Sequence, residues 1–171
     1  MRGFTSLAEQ LSPAQVAAQL NRFYELASNA IFRHDGTLDK LVGDQVMAFF
    51  GAPIQHVDHA RRAVETAVEI LRDVMDPAAQ IGLRVGAGIS SGEAFVGNVG
   101  GGDVRDYTVL GDTVNVAARL QGEAAAGEIL VSDETYASVG DLFSKASRRE
   151  LLLKGKSEPV IAWQIARATT A

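Results

Sequence analysis

The chain has 171 residues, 47% of them hydrophobic, with a formal net charge of −5; this suits a domain with a buried core and excludes a low-hydropathy disordered chain. Acidic and basic residues are interspersed, which argues against nucleic acid as a partner, and the absence of cysteine excludes disulfides and thiolate metal sites. No apolar run of about 18 residues and no basic-then-apolar leader is present, so neither a membrane span nor a signal peptide is expected, and a cytoplasmic setting is.

Ser12-Pro13 predicts a helix start, cap then proline, and Val16, Leu20, Phe23, Ala27, Ala30 and Ile31 recur on one face until about His34. Thr37 to Val42 and Gln45 to Phe50 read as strands joined by a tight Gly43-Asp44 turn, which leaves a carboxylate at a hairpin tip. Asp58 begins a second helix with Ala60, Ala63, Val64, Ala67, Val68 and Leu71 inward, ending before Asp76-Pro77. Leu83 to Ile89 and Glu93 to Val96 read as a strand pair around Ser90-Ser91-Gly92. The glycine-rich segment Gly97 to Gly102 then leads to a strand from Arg105 to Leu110. The next helix has Asp112 or Thr113 as its cap and Val114, Ala117 and Ala118 inward, so that Asn115 and Arg119, four residues apart, project together. A strand from Glu128 to Val131, a short helix capped by Ser132 and strands near Leu142, Leu151 and Val160 complete the order. This predicts a single α+β domain over residues 1–171, with helices over one face of a mostly antiparallel sheet.

Each chemical candidate has an ordinary alternative. Asp44 is either a turn former or, between the apolar strands Leu41-Val42 and Val46 to Phe50, a carboxylate able to hold Mg²⁺ with a triphosphate supplying other oxygens. Lys40 is either a solvated lysine or a hydrogen-bond donor to a base. Read as one strand, it shares a face with Asp44 but lies roughly 13 Å away by strand rise. Leu153-Lys154-Gly155-Lys156 is a basic turn or a phosphate contact, since glycine beside lysine lets the backbone approach closely. Arg119, held on a helix, suits a phosphate. His56 and His59 read as a polar helix start rather than a metal site, and Gly101-Gly102-Asp103 as a hairpin loop.

Five segments taken together resemble the class III adenylyl and guanylyl cyclase catalytic domain over nearly the whole chain. They are Arg2 to Glu9, Lys40 to Gly51, Gly88 to Glu93, Tyr107 to Leu120 and Leu153 to Lys156. The resemblance implies a ferredoxin-like βαββαβ core with extra strands, and a head-to-tail homodimer whose active sites draw on both chains. It implies conversion of ATP to 3′,5′-cyclic AMP and pyrophosphate with two divalent cations, Mg²⁺ or Mn²⁺. Asp44 would bind metal, and Lys40 and Thr108 would read the base. Asn115 would orient the ribose and Arg119 would stabilise the α-phosphate. Lys154 would hold the terminal phosphates, and the backbone around Gly3, Phe4 and Thr5 would cradle phosphate.

Hydrogen-bond polarity agrees with adenine, because Lys40 donates to N1 and the Thr108 hydroxyl can accept from the 6-amino group. The family's guanylyl members usually carry an acidic residue at the lysine position, although a hydroxyl can also donate, which leaves some use of GTP open. The family's first metal-binding aspartate stands just before the Arg2-Gly3-Phe4-Thr5 segment, and here that position would precede Met1. The first strand is thus expected upstream, in a longer protein with a regulatory domain. Two other readings stay open: a non-catalytic partner that lends Lys40, Thr108, Asn115 and Arg119 to another chain, and a metal-dependent nucleotidyl hydrolase or polymerase-like palm.

Overall fold

The computed structural model describes residues 1–76, 83–143, 145–152 and 158–165. A short helix, α1 (Phe4–Ala8), begins at Gly3 in the left-handed conformation, φ 69°, and leads into the long helix α2 (Pro13–Arg33). Ser12 starts α2 with a reciprocal cap. Its hydroxyl accepts from the Gln15 amide at 3.4 Å while Gln15 Oε1 accepts from the Ser12 amide at 2.9 Å. Phe23, Ala27, Ala30 and Ile31 face the core, as their spacing predicts.

The hairpin β1 (Thr37–Val42) and β2 (Gln45–Phe49) turns at Gly43-Asp44, with Val42 opposite Gln45 and Gly43 at φ 56°, a conformation glycine adopts without cost. Its register slips between Leu38 and Lys40, which makes Asp39 the extra residue of a β-bulge. Helix α3 (His59–Val74) follows and buries Ala60, Val64, Ala67, Leu71 and Val74. Glu69 on α3 receives hydrogen bonds from Arg33 and His34 at the end of α2, so the two helices are tied at their polar edge as well as through the core.

Three elements differ from the sequence-based expectation. Strand β3 (Ala87–Ile89) is short and pairs in parallel with β6 (Ile129–Ser132), not with the segment that follows it. That segment, β4 (Phe95–Gly101), runs through the glycines and pairs with β5 (Val104–Leu110) from Phe95 opposite Leu110 to Gly101 opposite Val104. The full ladder compensates for weak strand propensity, and only Gly102-Asp103 remains as loop. Leu142 lies in a 3₁₀ turn, Gly140–Leu142, rather than a strand.

Helix α4 (Asp112–Glu123), β6, helix α5 (Asp133–Val139, capped by the Ser132 hydroxyl on the Thr135 amide at 3.3 Å), β7 (Ser147–Leu151) and β8 (Val160–Ile165) complete the described elements. The strands form a four-stranded sheet in the order β3-β6-β8-β7 and two separate hairpins, β1-β2 and β4-β5.

The fold is α+β as expected, but helices cover both faces of the four-stranded sheet rather than one. Ile129, Val131 and Ile165 point into a core with α2, α3 and α5, while Leu130 and Ala162 point into a second core with Val116, Leu120 and Ala124 around α4. All four residues of β6 are consequently buried, the pattern of a strand covered on both sides. Among the described residues no helix is long and apolar enough to cross a membrane.

The second core depends on a close approach. A Cβ on Gly88 in β3 would lie 2.1 Å from the Gln121 nitrogen and 2.4 Å from the Ala117 oxygen of α4, and one on Gly86 would lie 2.6 Å from the Ala125 oxygen. Backbone atoms cannot yield as a flexible side chain can, so the helix would have to lift. Gly88→Ala should lower unfolding stability by about 3 kcal/mol. A fall in the urea midpoint at unchanged slope checks it, and a midpoint within error of the unsubstituted protein would refute the contact.

Candidate active site

Lys40 and Thr108, singled out from the sequence on different elements, meet. Lys40 Nζ donates to Thr108 Oγ1 at 2.9 Å and to Asp106 Oδ2 at 2.5 Å, which joins the β1-β2 hairpin to β5. A third contact, to Asp39 Oδ1, is stretched to 3.5 Å. The Thr108 hydroxyl in turn donates to Asp39 Oδ2 at 3.2 Å. Consecutive residues of a regular strand point to opposite faces, yet Asp39 and Lys40 both reach Thr108; the bulge at Asp39 turns them to one side.

The Asp39 side chain is fully buried and Thr108 is nearly so, while Lys40 is partly exposed and Asp106 more so, so the cluster has a floor and an open rim. The hydrogen bond to Asp106 holds the Lys40 ammonium above the ordinary lysine value. Partial desolvation works against it, and the charges of Asp39 and Asp106 add to it. Lys40 therefore remains a donor through neutral pH.

Asp44 sits on the hairpin turn, outside β1, so the shared-strand spacing to Lys40 does not describe it. Tyr24 on α2 donates its hydroxyl to the Gly43 carbonyl and braces the tip; burial first, and then the Asp44 charge, push that phenol up. The Met1 amine donates to Asp44 Oδ2 at 2.6 Å and to the Asp44 carbonyl at 2.9 Å, which brings the start of α1 close to this carboxylate. The first-turn amides of α1, around Gly3, Phe4 and Thr5, lack intrahelical acceptors by the geometry of any helix. Arg2 ties the same segment down, with its amide on the Arg84 carbonyl at 2.6 Å and its guanidinium on the Gln121 carbonyl at the end of α4.

The Asp44 carboxylate is partly exposed at the hairpin tip. Among the described residues no group of three His, Cys, Asp or Glu could hold a metal unaided. One carboxylate at a partly exposed tip fits a divalent ion that takes its other oxygens from a polyphosphate.

Asn115 and Arg119 lie one turn apart on α4, Asn115 exposed and Arg119 half-buried. The inward residues of α4 are Val116, Leu120 and the following Ala124; Ala118 is exposed, contrary to the expectation, because the face set by Gly88 lies one residue round from the one read off the sequence. The N-cap position is Gly111 rather than Asp112 or Thr113, and the Thr113 hydroxyl donates to the Glu93 carbonyl at 3.1 Å. Arg119 Nη1 is enclosed with no hydrogen-bond partner among the described residues. An enclosed cationic donor left unsatisfied costs on the order of 1–3 kcal/mol, so this position favours an anion.

Two sequence-derived groups therefore form within one chain, Lys40 with Thr108 and Asp44 with the start of α1, while Asn115 and Arg119 make no hydrogen bond or ion pair to Asp44 among the described residues. Lys154 lies outside the described residues. His59 opens α3 and His56 precedes it. Sequence reasoning missed Asp39, Asp106 and Tyr24. Strand alternation alone would place Asp39 on the face opposite Lys40, Asp106 is two residues from Thr108 on β5 and could have been found from that spacing, and Tyr24 carried no local signal.

A family model described as "Adenylate and Guanylate cyclase catalytic domain" matches residues 1–167. Adenylate cyclase 1 of Rhizobium meliloti is 33% identical over 95% of this chain, which spans only 26% of that relative's length. Among solved structures, the adenylyl cyclase CyaB of P. aeruginosa is 32% identical with a TM-score of 0.82, over 96% of this chain and 89% of that one. The guanylyl cyclase Cya2 is 34% identical with a TM-score of 0.84, over 97% and 87%.

Removing the brace under the hairpin tip should loosen the tip and little else. In Tyr24→Phe, amide exchange at Gly43, Asp44 and Gln45 should speed up by about fivefold or more while global stability changes by no more than about 1 kcal/mol. Unchanged exchange at those amides would mean that the Tyr24 hydroxyl does not hold the turn.

Proposed function

The chain belongs to the adenylate and guanylate cyclase catalytic-domain family, and from that premise we propose that it makes 3′,5′-cyclic AMP and pyrophosphate from ATP in sites shared by two copies. The observation that carries the choice of ATP is the Lys40–Thr108 pair, 2.9 Å apart on the rim and floor of one cluster. Lys40 can only donate, which matches the N1 acceptor of adenine and opposes the N1 donor of guanine. Its stretched contact with Asp39 leaves it one proton to offer. Thr108 accepts from the 6-amino group.

The ribose 3′-oxygen attacks the α-phosphorus in line. The new O3′–P bond forms as the bond to the leaving pyrophosphate breaks, and the hydroxyl proton passes to water. Arg119, whose Nη1 has no hydrogen-bond partner among the described residues, stabilises the charge growing on the α-phosphate, and Asn115, one turn earlier, aligns the ribose. The amides that open α1 at Gly3, Phe4 and Thr5 receive phosphate oxygens close to Asp44, and Lys154 serves the terminal phosphates. Asp44 is the carboxylate that would hold divalent cations, Mg²⁺ or Mn²⁺, which supply Lewis-acid activation of the attacking oxygen and neutralise the leaving group.

Sharing between two copies is supported by where the apolar surface lies. Phe95, Tyr107 and Leu110 on the β4-β5 hairpin are exposed, as are Leu41 and Val42 beside the Asp44 turn, a surface suited to burial against a second copy. The domain acts in the cytoplasm as the output module of a longer protein with its own regulatory segment.

Incubation of the protein with ATP or GTP and Mn²⁺, with product identification by mass spectrometry, tests the reaction. Cyclic AMP in excess over cyclic GMP is expected; a cyclic GMP excess would favour the guanylate alternative, and AMP would favour the hydrolase. Cyclic AMP formed only after mixing with a metal-competent partner chain would indicate the lending role. Chains carrying Asp44→Asn and Arg119→Ala, each inactive alone, should recover activity at one of two sites when mixed. No recovery would contradict sharing across copies.

A further inference from the structure

A hydroxyl at the floor of a base pocket is ambiguous, because it can accept from adenine's 6-amino group or donate to guanine's 6-oxo group. The neighbours of Thr108 remove that ambiguity. An ionised Asp39 only accepts and a lysine only donates, so the two contacts have one possible polarity: Thr108 Oγ1 gives its proton to Asp39 Oδ2 at 3.2 Å and takes one from Lys40 Nζ at 2.9 Å. One donor and one of two acceptor positions are then used. What remains for a ligand is a single lone pair.

We propose that Asp39 is the positioning residue that sets nucleotide choice, by committing the Thr108 proton so that the pocket floor accepts and cannot donate. This rests on the ATP reading above and extends it to a residue that need not touch the nucleotide. The β1 bulge is what makes it possible, since it delivers Asp39 to the same side as Lys40. Complete burial of the Asp39 side chain keeps water from offering the hydroxyl an alternative acceptor. Asp106 takes the other side of the lysine at 2.5 Å on the exposed rim, so the two carboxylates have different tasks: Asp106 holds the donor and Asp39 orients the acceptor.

Asp39→Asn is close to isosteric and reverses the arrangement. Beside the Lys40 ammonium the amide oxygen is favoured, which turns the amide NH₂ toward Thr108. The hydroxyl then receives two donors and its own proton is released toward the ligand, where it suits the 6-oxo group of guanine. The ratio of kcat/KM for ATP over GTP should fall about tenfold or more, carried mainly by KM, and competitive displacement of a fluorescent ATP analogue by ATP and by GTP should show the same change in ratio. In a Thr108→Val background, which has no hydroxyl to orient, adding Asp39→Asn should leave the ratio unchanged.

If the unsubstituted protein prefers ATP but Asp39→Asn lowers the use of both nucleotides by the same factor, or changes the ratio in the Thr108→Val background as well, the role of Asp39 is overturned while the ATP reading stands. If the unsubstituted protein shows no preference for ATP, both are overturned. Circular dichroism melts of the variants separate either result from loss of fold, and should Asp39→Asn not fold, Asp39→Ala, which also frees the hydroxyl proton, must shift the ratio in the same direction.

Discussion

The backbone of α4 rests directly on Gly88 of β3, at a separation that no side chain at that position would permit. From this contact follow the second core, in which Val116, Leu120 and Ala124 meet Leu130 and Ala162, and the rotation of α4 that keeps Asn115 and Arg119 out of it. Arg2 reaches the Gln121 carbonyl at the far end of the same helix, so the start of the chain is registered against α4 as well. A helix free to lift or roll would carry Arg119 with it. The enclosed Nη1 is therefore a consequence of main-chain packing several residues away, which is how a scaffold can hold a cationic donor in a place where nothing among the described residues satisfies it.

The other polar centre is built differently. Lys40, Asp39, Asp106 and Thr108 come from two hairpins that, among the described residues, are not paired with the four-stranded sheet, and their mutual contacts are charge-assisted. Phe49 and Tyr107 add a tilted ring contact between the same hairpins, with centroids 6.4 Å apart. An isolated two-stranded ribbon is marginal in water, so each hairpin contributes to the persistence of the other.

Helix positions were largely legible in the sequence. Ser12 with Gln15, and the 3.6-residue spacing of Phe23, Ala27 and Ile31, announce α2, and Ser132 announces α5. Strands were read less well where pairing partners outvoted propensity. Gly97 to Gly101 look like loop in isolation and become strand because β5 supplies a complete ladder. The run Ile129-Leu130-Val131 could have signalled a strand covered on both faces, since it does not alternate. In the site, Lys40, Asp44, Asn115 and Arg119 stood out by residue type and spacing and Thr108 by the family resemblance, and the structure adds local partners for Lys40, Thr108 and Asp44. Asp39 was hidden because a bulge leaves no mark in a sequence read two residues at a time, and Tyr24 because a tyrosine on a helix gives no hint that its hydroxyl ends on a turn some twenty residues further along.

The groups proposed to read the base are also the polar rivets between two ribbons that share no strand pairing. Substrate preference and mechanical cohesion are thus drawn from one small stock of hydrogen bonds. A lineage that rewrote Lys40 or Thr108 to accept another nucleotide would have to find a new fastening elsewhere along the ribbons, and the order in which such changes accumulate would be constrained by folding before it was constrained by chemistry.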